Sequence, residues 1–106
     1  MSTVQIIGPR EIKALIAEEL ANYPRDTAQD RATVAAFERQ LREPKLVTVN
    51  FSGGITQKCY SVTRGDGAYR VIYLPLAGDF SLVVESDFGP LDIGIHGPAI
   101  GCFASV

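Results

Sequence analysis

The sequence predicts an α+β domain: two N-terminal helices packed on one face of a curved five- to six-stranded antiparallel β-meander. Three observations carry this. Apolar residues recur at helical spacing up to about residue 43. The period then changes to two, with Val47, Val49 and Phe51 alternating with Thr48, Asn50 and Ser52. Turn dipeptides at Gly53-Gly54 and Asp66-Gly67 separate successive alternating runs. The 106 residues fit one domain, read as residues 1–106 without a linker or internal repeat.

The first helix is predicted over residues 9–23. Pro9 suits the first helical position, where its missing N–H costs nothing, and Ile12, Leu15, Ile16 and Leu20 form one stripe. Pro24 stops it by pushing the preceding residue out of the α region. The second helix is predicted over 27–43. Thr27 and Asp30 have the spacing of a capping box with Asp in place of Glu, Val34, Phe37 and Leu41 form its stripe, and Pro44 ends it. Residues 3–7 are a candidate for a further edge strand.

Six strands are expected, near 46–52, 55–64, 68–74, 80–86, 91–96 and 99–105, with further turns at Pro75–Asp79, Asp87–Pro90 and Gly97-Pro98. If both dipeptide turns are two-residue loops, the register follows by counting. Val47 then faces Tyr60, Phe51 faces Thr56, Tyr60 faces Tyr73, and Val71, Leu82, Ile93 and Cys102 line up across the later strands. One face collects Val47, Val49, Phe51, Tyr60, Val62, Val71, Tyr73, Leu82 and Ile93, with Lys58 as its one charged misfit. Six strands at ~4.8 Å each span about 24 Å, a width two helices cover. In element order the outline is similar to helix-plus-curved-sheet folds of the cystatin-like or NTF2-like kind. The glycines at 89, 94, 97 and 101 read as turns and as bulges in a curved sheet.

Several function classes have no support in the chain. No run approaches the roughly 18 apolar residues of a membrane helix. Arg10, Glu11, Lys13, Glu18 and Glu19 interrupt any signal-peptide pattern, so a cytoplasmic location is the default expectation. From Val71 to Val106 there is no Lys or Arg and there are four acids, Asp79, Glu85, Asp87 and Asp92, which argues against nucleic-acid binding there. The single histidine and scattered carboxylates lack the spacing of a zinc or calcium site, and no cofactor fingerprint is present. Cys59 and Cys102 fall on opposite faces, which excludes a disulfide between them, and both read as small apolar residues.

Three sets of residues remain as candidates. Leu46, Ile72, Leu74 and Val83 lie on the sheet face that no helix remains to cover. They suggest a non-enzymatic module that homodimerises or binds another protein there. Tyr60, Tyr69 and Tyr73, with Arg64 nearby, lie on the helix side and could line a small-molecule pocket between helices and sheet. Asp92 and His96 share one side of the fifth strand and form a weaker polar candidate. The leading expectation is the interaction module, and the alternative is a small-molecule binder or an enzyme derived from one.

Overall fold

The computed structural model describes residues 7–65 and 67–106; the candidate edge strand lies, apart from Ile7, outside them, as does Asp66 of the second turn. The elements in chain order are α1 (Pro9–Asn22), α2 (Ala28–Gln40), β1 (Leu41–Phe51), β2 (Ile55–Thr63), β3 (Tyr69–Leu74), β4 (Asp79–Ser86), β5 (Gly89–Gly97) and α3 (Ala99–Ala104). The class is α+β with two N-terminal helices, but the sheet closes into a five-stranded barrel in the order β1-β2-β3-β4-β5.

Both helix starts follow from their sequences. At α1 the Gly8 N–H donates to the Glu11 carboxylate at 3.0 Å and Pro9 takes the first helical position. At α2 the capping box forms in full: Asp30 N–H donates to Thr27 Oγ1 at 3.0 Å, and Thr27 N–H to the Asp30 carboxylate at 3.4 Å. α2 ends three residues earlier than expected. Residues 41–43 are extended, and the restriction that Pro44 places on its predecessor accounts for this at Glu43. Pro44 itself sits in an irregularity between Leu41 and Lys45, where no ladder N–H is needed.

The first hairpin overturns the expected register. Its loop is three residues, Ser52–Gly54, with φ near +79° at Gly53 and +77° at Gly54, and Phe51 pairs with Ile55. Val47 therefore faces Cys59, not Tyr60. A one-residue slip turns every side chain of β1 over: Val47, Val49 and Phe51 leave the helix side and pack with Cys59, Ile72, Leu74 and Val83. The slip also resolves the Lys58 misfit. Lys58 pairs with Thr48 and donates to its hydroxyl at 2.8 Å on the exposed side. Beyond this hairpin Tyr60 pairs with Tyr73 and Val71 with Leu82, as counted from the sequence. Leu82 then pairs with Ile95 instead of Ile93, because two extra residues of β5 bulge out between Leu82 and Val83; Gly94 lies among them at φ +80°.

Closure follows from strand number. In an up-and-down sheet of five strands the first and last run in the same direction, so the seam must be parallel; it is, with Asn50 opposite Leu91. The Asn50 side chain bolts the seam, donating Nδ2–H to the carbonyls of Phe88 (2.9 Å) and Pro90 (3.2 Å). Closing the sheet satisfies edge groups that would otherwise face water.

The expected sixth strand at 99–105 is instead α3. Ile100 and Cys102 fit a period of two, but Ala99, Ile100, Cys102 and Phe103 also fit one helical face, and short apolar runs do not separate the two. Tertiary contacts decide: both carboxylate oxygens of Glu19, on α1, accept from the first N–H groups of α3, Ala99 (3.0 Å) and Ile100 (3.1 Å). α3 lies against β3, β4 and β5 and touches α1 and α2. Two apolar clusters result. One fills the barrel, and the other, built on Ile12, Ile16, Val34, Phe37, Val62, Val71, Tyr73, Phe80, Leu82 and Ile100, joins the helices to its outer wall.

Candidate functional site

Barrel closure removes the basis of the expected interaction face. Ile72 and Val83 are 0% exposed and Leu74 4%, because the face left bare by the helices has curled inward on itself. Only Leu46, at 54%, is on the surface. The tyrosines are also dispersed. Tyr73 is buried edge-on against Phe80, with ring centroids 5.1 Å apart. Burial, and then the Asp79 carboxylate, push its phenol pKa upward. Tyr60 is half-buried against the same cluster, and Tyr69 is exposed at the rim of a small cavity of about 60 Å3. They do not gather around one pocket.

Asp92 and His96 do meet. His96 Nε2 lies 3.2 Å from both carboxylate oxygens of Asp92, and the buried Ser81 hydroxyl donates to the same carboxylate. The order is serine, carboxylate, imidazole. A nucleophilic serine needs the imidazole between hydroxyl and carboxylate, so this arrangement does not activate Ser81. Asp92 and His96 flank the bulge at Gly94, and their contact ties its two ends together. Among the described residues no three His, Cys, Asp or Glu side chains converge as for a metal, and no helix is long and apolar enough to cross a membrane.

The thiols are both free and buried. Burial, with the Asp92 charge adding to it, pushes Cys59 up to about 11. Burial, Asp79, Glu19 and Asp92 do the same to Cys102, against a small opposing backbone hydrogen bond. A thiol whose folded pKa lies above its unfolded value near 9 contributes stability fully below pH 9 and loses it as pH rises toward 11. The melting temperature is therefore expected to fall steeply between pH 9 and 11. The fall should be shallower in a Cys59→Ala/Cys102→Ala variant; equal slopes in the two melts would refute the assignment.

Arg64, the remaining candidate, leads to a different site. The lower mouth of the barrel holds a cavity of about 310 Å3 lined by Arg42, Glu43, Lys45, Ser61, Thr63, Arg64, Gly65 and Arg70. Four cations and the Glu43 carboxylate line it, with Glu85 behind Arg70, in a chain of net charge −2. The elements that position them are the start of β1, the end of β2 and the start of β3. Lys45 pairs across the ladder with Ser61, and the Arg64 N–H anchors the end of β2 to the Gln40 carbonyl at 2.9 Å. Arg42 donates to the carbonyls of Arg39 (2.9 Å) and Leu41 (2.7 Å), closing the C-terminal turn of α2.

Arg70 is held most firmly. Its Nε and Nη2 donate to Glu85 Oε1 at 2.7 and 2.6 Å, in a pair mostly shielded from water. Its guanidinium lies so close to Gly65 that a Cβ there would come within 2.7 Å of Nη2. The hydroxyl of Ser61 donates to the Thr63 carbonyl at 3.1 Å, and that of Thr63 accepts from Val71 N–H at 3.0 Å, leaving the Thr63 hydroxyl proton to donate elsewhere. Lys45 has no ion-pair partner among the described residues. Such an arrangement can hold an anion by charge and by directed N–H and O–H donors.

Comparisons with protein-family models, with curated proteins and with solved structures found no match. The geometry therefore stands alone. Of the mouth residues, sequence reasoning had singled out only Arg64. Arg42, Lys45 and Arg70 are separated by up to 28 positions and share no motif. The charge asymmetry gave only a coarse signal: no Lys or Arg follows Arg70, but six of the ten do not line this end of the barrel.

Proposed function

We propose that the domain binds a small anionic molecule, carrying a carboxylate or phosphate group, in the mouth of the barrel. One observation carries this reading: Arg42, Lys45, Arg64 and Arg70 surround a cavity of about 310 Å3 with a single lining carboxylate. Glu85 offsets the charge of Arg70, but the like charges gathered at this rim still repel one another, and a bound anion relieves that repulsion. Barrel mouths are also a common place for small-molecule sites. The reading is of binding without catalysis.

The test is isothermal titration at low salt with inorganic phosphate and short carboxylates. Lys45→Glu is expected to weaken binding roughly 10- to 100-fold, the worth of a charge-assisted hydrogen bond. Raising the salt should weaken it further in the parent protein. Absence of binding by every anion class would refute the proposal.

Association between copies is the second reading, and it moves to a new place. Leu46 on β1, Leu91 and Ile93 on β5, and Phe88 in the turn before it are all exposed, on the strands that meet at the seam. Native mass spectrometry of the purified chain separates the two readings: a dimer mass supports association, and a monomer with added anion mass supports the pocket.

A further inference from the structure

The basic mouth has an apolar neighbour. Between α1 and the start of β1 runs a groove of about 340 Å3, lined by Ile16, Ala17, Leu20, Leu41 and Pro44, with Lys13, Arg42 and Glu43 along it. Arg42 and Glu43 line both the groove and the mouth, so the two cavities adjoin across one dipeptide. Lys13 Nζ bonds Glu43 at 2.9 Å, with the two side chains 57% and 70% exposed. A pair so exposed contributes little, about 1 kcal/mol or less, and swings open readily. When it opens, Lys13 becomes a further cation beside the groove.

A basic cavity bordering an apolar trough matches a molecule with an anionic head and a hydrocarbon tail. We propose that the two cavities form one site for a single-chain acyl or alkyl anion. The head lies among Lys45, Arg64 and Arg70, and the chain lies along Ile16, Ala17, Leu20, Leu41 and Pro44. This rests on the anion reading of the mouth and adds to it the class of ligand. The charge of the mouth selects the head, and the apolar wall of the groove selects the tail. An uncharged alcohol of equal length satisfies only the second.

The experiment is titration calorimetry of the intact chain with butanoate, hexanoate, octanoate, octyl phosphate and octanol. Affinity is expected to rise roughly fourfold for each methylene added, with octanol at least tenfold weaker than octanoate. Ala17→Trp, which puts an indole into the groove from the surface of α1, is expected to flatten the chain-length series, with a thermal melt confirming that the variant folds. Either of two results would overturn this inference while sparing the anion site: a flat series in the parent protein with phosphate still bound, or a series that Ala17→Trp leaves equally steep. Equal binding of octanol and octanoate would overturn it too, by removing the role of the mouth. Failure of every carboxylate and phosphate, short or long, would overturn both.

Discussion

Ile72→Lys is expected to unfold the domain outright. On an open sheet this substitution would sit on the solvent face and change only association. In the closed barrel Ile72 is 0% exposed and packs with Val49, Cys59, Leu74 and Val83. Its ladder neighbours are Ser61 and Ser81, which supply no counter-charge. Burying an unpaired ammonium there and losing the isoleucine contacts costs about 5 kcal/mol or more. A domain of this size has about 5–15 kcal/mol in total. Leu46→Lys is the control. Leu46 is largely exposed, and the change there is expected to stay within about 0.5 kcal/mol. Far-UV circular dichroism and a two-dimensional amide spectrum decide the matter. A well-dispersed spectrum for Ile72→Lys would mean that the barrel is not closed.

Phe37→Ala should have the next largest effect, about 3–5 kcal/mol. Phe37 is 0% exposed at the centre of the helix-side cluster, and its ring meets Phe103 of α3 at a centroid distance of 5.2 Å. The residue therefore joins α2 to the barrel wall and to α3 together. Truncating it leaves a cavity that three elements must collapse to fill, which rigid secondary structure does poorly. At roughly 4–8 °C per kcal/mol the melting temperature should drop by about 12 °C or more. Phe103→Ala, at a half-buried position, should cost less. A loss below about 1 kcal/mol for Phe37→Ala would show that α2 does not dock where the structure places it.

Local signals carried over into the fold and non-local ones did not. The α1 stripe, the Thr27–Asp30 capping box, the Tyr60–Tyr73 and Val71–Leu82 registers and the bulge at Gly94 were all legible, because each depends on residues close in sequence or joined by a short turn. The reading failed first at Gly53-Gly54. Both residues adopt positive φ as a two-residue turn would require, but Ser52 joins the loop, and that single residue inverted β1. It failed again at residues 99–105, where a helix and a strand fit the same apolar residues and the Glu19 carboxylate, eighty positions away, settles the choice.

The candidate site divides in the same way. Asp92 and His96 lie four residues apart and were recognisable as a pair; the basic mouth draws on the ends of three strands and was not.

By itself, then, the sequence determined the class of domain, the positions of both N-terminal helices and the alternation of its strands, since backbone propensity and periodicity act over a few residues. Only the tertiary structure decided which face of the sheet is inside. An alternating strand has two faces, and counting cannot tell a face covered by helices from one covered by the sheet's own closure. That closure buried Ile72, Leu74 and Val83, while the pairing of β1, β2 and β3 brought Arg42, Lys45, Arg64 and Arg70 to one rim.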